Sequence, residues 1–499
     1  MKIIPGFLKN HLFWFFLFTL ATMADAQQSG ELSYRDESAL PDGVVGERIQ
    51  AVISAMNANA PAAVEAFLKD HCTAAFRDIV PLEEHVGIFR SFYRQTGGIQ
   101  FHSIRLYTPP RPETVVIVKD NNFGSWRGIS LYLEGQEQRI AGINLSPART
   151  PTNVEPEVLT TAQFVPELEK LLQRLCDGDV FSGTVLVAKG DEVLFTKACG
   201  EASKRFHVAN NLETKFNLGS MNKMFTATAV MQLVEQGKVK LDDPISQYVD
   251  ESWLPKSITD KVTVHHLLTH TSGLGSYFNE TYEKSSRELF RKVDDYKPLV
   301  QGDTLAFEPG ARFRYSNTGM LLLGVVIEKA TGQDYFDYIR EHIYQPADMT
   351  HTDCYEMDYP VENLAIGYIP DPDSPYKWQN NLYKHVIKGG PAGGGFSTVG
   401  DLHRFARALQ TGQLLNKSSL EKLWTDYAGA NYGYGFSVEQ GPEGKVVGHG
   451  GGFPGLNSNL DIFLDKGFIV AVMSNYDNGA SPLAGRIKQM VGSLDEQKR

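Results

Sequence analysis

Cysteine is scarce in this sequence. Four cysteines occur in 499 residues, at Cys72, Cys176, Cys199 and Cys354, and no two of them form a C-x-x-C pair. This spacing excludes a small disulfide-dense scaffold and a CxxC metal or redox motif. Whether Cys176 and Cys199 pair stays open, because the geometry that a disulfide requires cannot be read from sequence.

An excess of positive charge is also lacking. Lys and Arg number 48 against 59 Asp and Glu, which gives a net charge of −11. Nothing therefore favours nucleic acid or an anionic membrane surface as the main partner. Hydrophobic residues make up 42% and charged residues 21%, so the chain is globular rather than a charged disordered polymer. At about 150 residues per domain, the length is typical of three domains or of two larger ones.

Long apolar runs are absent after the N-terminal segment. In that segment Lys2 and Lys9 accompany an apolar run over 12–20, and Ala24-Asp25-Ala26 follows as a small-x-small cleavage site. This pattern predicts a signal peptide over 1–26 and an exported protein, periplasmic or secreted. The alternative is an uncleaved anchor, but the run is shorter than the roughly 20 residues of a spanning helix. We therefore expect no stable membrane span after cleavage.

Residues 31–145 have the pattern of a small α+β domain. Ile49, Val52, Ile53 and Met56 recur at the spacing of an amphipathic helix. Further helices are predicted over 62–69 and 82–93, and strands over 99–107, 114–118, 126–133 and 140–145. Helices followed by strands predict a helix layer on a curved antiparallel sheet. The order resembles the cystatin-like cone of the nuclear-transport-factor type, for which a docking or stabilising role is favoured over a second active site.

A proline-rich segment over 146–160 predicts a stiff linker, because Pro147, Pro151 and Pro156 restrict the backbone around them. The second domain is then 161–495. It begins with a predicted helix (164–175) and hairpin (183–188 and 193–198) and continues through a mostly helical middle. It ends with predicted strands over 432–438, 445–448, 458–464 and 468–474 and a helix over 483–492. Strands at both ends predict one sheet that joins the two ends of the domain.

The first candidate for chemistry is Ser220, which Lys223 follows three residues later. The segment opens a predicted amphipathic helix that ends near Gly237, so both side chains share one face. A serine hydroxyl becomes a strong nucleophile only when a base takes its proton, and a buried lysine of lowered pKa can be that base. The S-x-x-K spacing is common by chance, and taken alone it favours a capping serine and a surface lysine.

Two further segments complement the first. Tyr315 and Asn317 stand two residues apart ahead of an apolar helix over 320–330, where Asn317 could instead only cap the helix. The run His449-Gly450-Gly451-Gly452 lies on a strand-like stretch near the end of the domain. Glycines permit a substrate backbone to lie against a strand edge, although a flexible glycine turn is the alternative.

The three segments, in this order, resemble the signature of serine β-lactamases and penicillin-binding proteins: S-x-x-K, Y-x-N, and K-T-G or H-x-G. Flanking sequence agrees over roughly 165–495, in the VHHLLTHTSGL segment from 264, the GGPAGGGFS loop from 389 and the LDDP connector from 241. The domain is identified as a member of the class C β-lactamase-related serine hydrolases. The resemblance implies their α+β transpeptidase-like fold, an antiparallel sheet flanked by helices plus an all-helical insert. It also implies catalysis without a cofactor or a metal.

The resemblance further implies a role for each residue of the three motifs. Ser220 would be acylated, Lys223 with Tyr315 would be the general base, and Tyr315 would also protonate the leaving group. Substrate binding would fall to four residues, Asn317, His449, Gly450 and Gly451. The oxyanion hole would consist of the backbone N–H groups of Ser220 and Gly452, and losing one such donor typically costs about 3 kcal/mol of transition-state stabilisation.

The third motif, His449–Gly452, departs from the Lys-Thr-Gly form. Histidine titrates near neutrality and Gly450 has no hydroxyl, so the permanent charge and the hydrogen bond that suit a β-lactam carboxylate are both missing. We therefore expect an exported serine hydrolase that cleaves a small-molecule or peptide ester or amide through a Ser220 acyl-enzyme. The alternatives are a D-alanyl-D-alanine carboxypeptidase, a D-aminopeptidase or a β-lactamase and, in another class, a catalytically silent binding or regulatory protein.

Other patterns have less support. His266 and His270 stand four residues apart on a predicted helix and could bind zinc on one face, but no HExxH motif or third ligand accompanies them. The HGGG run also resembles the oxyanion loop of α/β-hydrolase esterases, but the G-x-S-x-G motif of that fold is missing from the sequence. The glycine clusters lack a following G-K-[ST], so no nucleotide-binding loop is predicted.

Overall fold

The computed structural model of the protein describes residues 33–371, 373–374 and 376–495. The predicted signal peptide over 1–26 lies outside the described residues and stays a prediction. The chain divides into two compact units, one that reaches to Glu157 and one that begins at Val158. Within the described stretches, no helix combines the length and the apolar character that a membrane crossing requires.

The N-terminal unit is a layer of helices on an antiparallel sheet. The strands pair in chain order: β1 (Ser33–Glu37), β2 (Ile99–Thr108), β3 (Thr114–Asp120), β4 (Trp126–Glu134) and β5 (Arg139–Pro147). The helices are Val44–Ala58, Pro61–His71, Ala74–Arg77 and Leu82–Thr96. The predicted helices and strands are confirmed, whereas β1 was not predicted because its sequence, SYRDE, lacks apolar alternation. The cystatin-like assignment stays a prediction.

The apolar periodicity of this unit explains its core. Ile49, Val52 and Met56 are buried on one side of the first helix, as the spacing predicts. They belong to one cluster with Phe67 of the second helix and with β-branched residues of the sheet such as Val116. This unit therefore has a hydrophobic core of its own.

Residues that the sequence assigned to a linker are hydrogen-bonded to this sheet. Arg105 on β2 makes a bidentate ion pair with Asp36 on β1, with Nε–Oδ1 and Nη2–Oδ2 distances of 3.0 and 3.1 Å. The backbone N–H of Thr152 donates to the same carboxylate at 2.8 Å, and the Arg149 carbonyl accepts from Arg105. The first part of the predicted linker, 146–160, is thus fixed to the N-terminal unit, and β5 itself extends to Pro147.

The C-terminal unit is built on a six-stranded antiparallel sheet. The strands of the unit are β6 (Gly183–Lys189), β7 (Glu192–Cys199), β8 (Glu201–Ser203), β9 (Val208–Ala209), β10 (Phe216–Asn217), β11 (Tyr368–Pro370), β12 (Trp378–Asn380), β13 (Phe396–Ser397), β14 (Ser437–Gly441), β15 (Gly444–Phe453), β16 (Leu456–Phe463) and β17 (Phe468–Ser474). The order of the six strands in the sheet is β14-β15-β16-β17-β6-β7. Val187 on β6 lies opposite Val470 on β17, so strands from the two ends of the unit are neighbours, as predicted.

Helices cover this sheet and fill the middle of the sequence. The α-helices are Thr161–Asp177, Asn222–Glu235, Lys256–Thr259, Val264–Leu268, Glu280–Lys284, Lys297–Val300, Asn317–Thr331, Tyr335–Ile339, Val399–Gln410, Lys417–Leu423 and Ser481–Gly492. Short 3₁₀ turns lie at Gly219–Met221, Ile245–Gln247, Arg287–Leu289 and Val293–Tyr296, and a π-turn lies at Arg340–Tyr344. Cys176 and Cys199 form a disulfide, which answers the pairing question, whereas Cys72 and Cys354 are free and buried.

Three local predictions were wrong. The helix predicted to carry both His266 and His270 ends at Leu268, and His270 has a left-handed φ of 57°. The helix Asn222–Glu235 is buried almost all round rather than amphipathic, because polar members such as Thr226 and Thr228 donate to carbonyls of their own helix. The strand predicted from 432 begins only at Ser437. Gly435 has a left-handed φ of 68° and packs against the Lys223 carbonyl, so the chain cannot be extended there.

Candidate active site

Ser220 lies in the 3₁₀ turn Gly219–Met221, which leads directly into the helix Asn222–Glu235. The turn is fixed from its start, because the Asn217 side-chain oxygen accepts the Gly219 N–H at 2.9 Å. Gly219 has a φ of 51°, which glycine adopts without strain. The serine is partly exposed, whereas Lys223 on the next turn is completely buried. The hydroxyl is therefore accessible to a substrate and the amine is shielded from water.

The amine of Lys223 is surrounded by uncharged oxygen atoms. Its Nζ lies 3.1 Å from Ser220 Oγ, 3.0 Å from Asn317 Oδ1 and 2.5 Å from the Ala392 carbonyl oxygen. Burial without a countercharge lowers the pKa of Lys223 well below its usual value. A neutral amine has two N–H donors and one lone pair. In the neutral amine, the amide and carbonyl oxygens would take the two donors, and the lone pair would face the serine hydroxyl.

The second motif, Tyr315–Asn317, meets this pair from another element. Ser316 caps the helix Asn317–Thr331 by accepting the Gly319 N–H at 2.9 Å, so Asn317 is not the cap. The Asn317 side chain accepts from Lys223 and donates to Ser276 Oγ at 3.1 Å. It is therefore held from both sides in the site.

Tyr315 completes the contacts of the serine. Its side chain hydrogen-bonds Ser220, and its ring lies 4.8 Å from Lys223 Nζ. Burial raises the pKa of Tyr315, and the bond with Ser220 offsets this only in part. The residue is thus a neutral phenol, which can donate a proton at neutral pH.

The third motif lies on β15, on a part of the strand that is not paired with β14. The β14 pairing ends at Gly448, opposite Ser437, so His449–Gly452 extends beyond it. A β-carbon built on Gly219 would lie 2.9 Å from the Gly452 nitrogen, which shows how closely the nucleophile turn approaches the strand. The N–H groups predicted to form the oxyanion hole therefore belong to two backbone segments in contact.

His449 has both ring nitrogens engaged by the protein. Nε2 lies 3.0 Å from the Tyr432 hydroxyl and Nδ1 lies 2.5 Å from the Gly450 carbonyl oxygen. Burial and the nearby Lys223 lower the pKa of His449 to about 3. The third motif therefore contributes no positive charge at neutral pH, in line with the expectation from its sequence.

Sequence reasoning missed several residues of the site. The Ala392 carbonyl and Ser276 contact the catalytic candidates directly, and His270 and Tyr432 lie behind them. Ala392 belongs to the quoted GGPAGGGFS loop and His270 to the VHHLLTHTSGL segment, so both had a signal in the sequence. Tyr432 and Ser276 had none, because only the folded chain brings them to the site.

The two histidines considered for zinc have other partners. His266 Nδ1 accepts the Thr263 N–H at 3.1 Å within a capping box. His270 Nδ1 accepts the Ser316 N–H at 3.2 Å, and Nε2 contacts the Tyr432 hydroxyl at 3.2 Å. Among the residues that the structure describes, no three His, Cys, Asp or Glu side chains are grouped as a metal site would require.

The fold and the sequence both match known proteins. The six-stranded antiparallel sheet of the C-terminal unit and its helices have the fold of a solved penicillin-binding protein. A penicillin-binding protein from Bacillus halodurans superposes with a TM-score of 0.59 at 33% identity, covering 64% of this chain and 98% of that one. A family model described as Beta-lactamase matches residues 167–491. The chain belongs to the beta-lactamase family.

Two other relatives indicate the breadth of this family. Penicillin-binding protein 4* of Bacillus subtilis is 31% identical over 325 residues, which is 62% of this chain and 71% of the relative. A D-stereospecific amidohydrolase from a Streptomyces species is 28% identical with a TM-score of 0.52, covering 62% of this chain and 92% of that one. The family resemblance of the sequence is thus confirmed, and the relatives support a hydrolase.

Proposed function

We propose that the protein hydrolyses an ester or amide bond through an acyl-enzyme on Ser220. The observation that carries this proposal is the Lys223 amine, which is buried among uncharged oxygens with its Nζ 3.1 Å from the Ser220 hydroxyl oxygen. A base of lowered pKa beside an accessible hydroxyl is the arrangement that activates a serine nucleophile.

The reaction has two halves. Lys223 takes the proton of Ser220 while Oγ attacks the substrate carbonyl carbon, and the N–H groups of Ser220 and Gly452 stabilise the negative charge on the carbonyl oxygen. Tyr315 gives its proton to the leaving oxygen or nitrogen as the carbonyl–leaving group bond breaks, and the proton on Lys223 replaces it. In the second half, Lys223 takes a proton from water through Tyr315 while the water oxygen attacks the acyl carbon. That proton returns to Ser220 Oγ as the acyl–Oγ bond breaks and the acid is released.

The third motif supports a substrate without a carboxylate at that side of the site. His449 is neutral and its ring nitrogens already contact Tyr432 and Gly450. Uncharged esters and amides therefore fit better than a penicillin or a peptide ending in D-alanine, both of which carry a carboxylate. The Streptomyces relative is named for action on D-stereoisomeric amides, which makes a D-aminoacyl amide the second candidate substrate. A D,D-peptidase or β-lactamase activity ranks below both.

We also propose that the protein is exported and acts in the periplasm or outside the cell. The N-terminal sequence pattern supports this proposal, and so does the Cys176–Cys199 disulfide, because disulfides persist in oxidising compartments. A catalytically silent binding protein is the alternative from another class. The complete set of Ser220, Lys223 and Tyr315, in contact with one another, argues against it.

The test is a turnover assay on the wild-type protein and on Ser220→Ala. The substrates are a p-nitrophenyl butyrate ester, a D-phenylalanine p-nitroanilide and a chromogenic cephalosporin. We expect the ester to be cleaved fastest and kcat to fall by roughly 1000-fold or more in Ser220→Ala, with the thermal unfolding midpoint nearly unchanged. Ser285→Ala is the control, since that partly exposed hydroxyl donates to the Thr281 carbonyl in the preceding helix turn. Cephalosporin turnover faster than ester turnover would overturn the substrate proposal, and full activity of Ser220→Ala would overturn the mechanism.

A further inference from the structure

His270 is held in an unusual backbone conformation beside Tyr315. It is completely buried and has a φ of 57°, in the left-handed region that non-glycine residues seldom adopt. Its carbonyl accepts the Arg314 N–H at 2.8 Å, and its ring Nδ1 accepts the Ser316 N–H at 3.2 Å. The ring centroids of His270 and Tyr315 are 4.4 Å apart. One residue thus binds the backbone on both sides of Tyr315 and also packs on its ring.

The hydrogen bonds from His270 continue to the third motif in a fixed direction. A peptide N–H can only donate, so Nδ1 of His270 accepts from Ser316 and the proton of the neutral ring is on Nε2. That Nε2–H donates to the Tyr432 hydroxyl oxygen at 3.2 Å. At the other end, the Gly450 carbonyl can only accept, so His449 carries its proton on Nδ1. The Tyr432 hydroxyl therefore donates to His449 Nε2 at 3.0 Å.

Each donor and acceptor in this series of hydrogen bonds has a partner only when the rings of His270 and His449 are both neutral. A second proton on His270 would face the Ser316 N–H, and one on His449 would leave the Tyr432 hydroxyl hydrogen without an acceptor. Burial and the nearby Lys223 lower the pKa values of both histidines, which agrees with this arrangement. The direction of these hydrogen bonds is therefore set by the backbone groups at the two ends, the Ser316 N–H and the Gly450 carbonyl.

We propose that His270 and Tyr432 are positioning residues that hold Tyr315 and His449 in place for acylation of Ser220. His270 fixes Tyr315 through the two flanking peptide N–H groups. Tyr432 then connects His270 to His449, so that the second and third motifs keep a constant separation across the substrate cleft. The kinetic part rests on the proposed function, whereas the proton positions do not.

The chain offers a matched control for Tyr432. Tyr434, two residues later, is also buried and its hydroxyl also bonds a histidine, His265 Nδ1, at 2.8 Å. Tyr434→Phe therefore removes the same atom from the same loop without touching the connection between the motifs. Two changes at His270 separate the two hydrogen bonds of its ring. His270→Asn retains an acceptor for the Ser316 N–H, whereas His270→Leu retains neither side-chain bond.

The experiment combines histidine ¹⁵N NMR with the rate of labelling by a fluorophosphonate, on the full mature chain. In the wild type, we expect the His449 resonances, assigned through His449→Gln, to show a protonated Nδ1 and an unprotonated Nε2. Tyr432→Phe should shift the Nε2 resonance and slow labelling by about tenfold or more, because a misplacement of about 1 Å costs up to 100-fold. Tyr434→Phe should stay within about threefold of wild type. The labelling rate of His270→Asn should equal that of Tyr432→Phe, and the labelling rate of His270→Leu should be lower still.

Several results would overturn the proposal. A wild-type His449 protonated on Nε2 would disprove the hydrogen-bond chain even if the Tyr432 and His270 variants failed to fold. Equal labelling rates for Tyr432→Phe and Tyr434→Phe would show that Tyr432 only packs. A wild-type protein that is not labelled at all would refute the proposed function and the positioning role, while the NMR result would still decide the proton positions.

Discussion

Gly451 packs directly against the backbone of Leu218. A β-carbon on Gly451 would lie 1.9 Å from the Leu218 carbonyl oxygen, and that oxygen already accepts the Ser458 hydroxyl at 2.7 Å. Leu218 immediately precedes the nucleophile turn, and Gly451 immediately precedes the candidate oxyanion donor Gly452. The distance between the two halves of the proposed oxyanion hole is therefore set by backbone contact.

We predict that Gly451→Ala lowers kcat more than it lowers substrate affinity. The added methyl group must displace β15 from the nucleophile turn, which separates the N–H groups of Ser220 and Gly452. We expect about a 100-fold loss of kcat and a destabilisation of about 1–3 kcal/mol from overpacking. Steady-state kinetics and urea unfolding measure the two effects. The control is Gly485→Ala, where a β-carbon meets nothing within 4 Å; comparable losses in both variants would contradict the explanation.

A second prediction concerns the charge state of Lys223. Lys223→Met keeps the side-chain length and removes the amine, so we expect kcat to fall by roughly 1000-fold. Because burial lowers the native pKa, the unfolded chain binds a proton that the native chain does not, from the native pKa up to about 10.4. Raising the pH through this range therefore stabilises the wild type relative to Lys223→Met, by up to roughly 1.4 kcal/mol per pH unit.

Urea unfolding at pH 7, 8 and 9 measures this difference between the two proteins. Lys284→Met is the matched control, since that lysine is exposed and pairs with Glu280 on its own helix. We expect its stability to follow the wild type at all three pH values. A difference between wild type and Lys223→Met that does not change with pH would mean that Lys223 is an ammonium in the native protein.

The disulfide gives a third prediction. Cys176 and Cys199 close a loop with a sequence separation of 23 residues, between the end of the helix Thr161–Asp177 and the end of β7. The double change to alanine should lower the free energy of unfolding by about 3 kcal/mol, chiefly by freeing the unfolded chain. Thiol titration of the denatured, unreduced protein should detect only Cys72 and Cys354. Four thiols would contradict the pairing.

A fourth prediction concerns the division of labour between the two units. Each unit has its own hydrophobic cluster, and the residues named in the active site all lie beyond Val158. A chain that starts at Pro156 retains Leu159, which pairs with Leu494, and should fold and react with a fluorophosphonate at nearly the wild-type rate. A folded but unreactive truncated protein would assign part of the chemistry to the N-terminal unit.

The sequence predicted what short motifs and apolar periodicity determine. The spacing of Ser220 and Lys223 places both on one side of a helix turn, and the two residues are in contact. Strand patterns at both ends of the unit predicted that β6 and β17 share one sheet. The first feature depends on spacing within one helix turn, and the second depends on the local pattern of each strand, although the strands that pair are distant in sequence.

The rest depends on contacts between distant segments. The burial of the helix Asn222–Glu235 cannot be read from its own residues, because its threonines bond back to the helix and do not mark a solvent-exposed face. The low pKa of His449 follows chiefly from its burial, and the sequence does not show that Tyr432 and the Gly450 carbonyl contact its two ring nitrogens. The β1 strand is polar and is recognised only through its pairing with β2.

The sheet that joins the two ends of the C-terminal unit also bears on its synthesis. Val187 is translated early in this unit, yet its partner Val470 emerges from the ribosome only after nearly all of the unit has been made. β15, which carries Gly452, must also be complete before the oxyanion hole can form. Chains interrupted before β15 is complete contain Ser220 and Lys223 but lack Gly452, the second proposed oxyanion donor. Unfinished chains are therefore expected to be inactive as hydrolases, because the sheet cannot be completed until both of its ends have been synthesised.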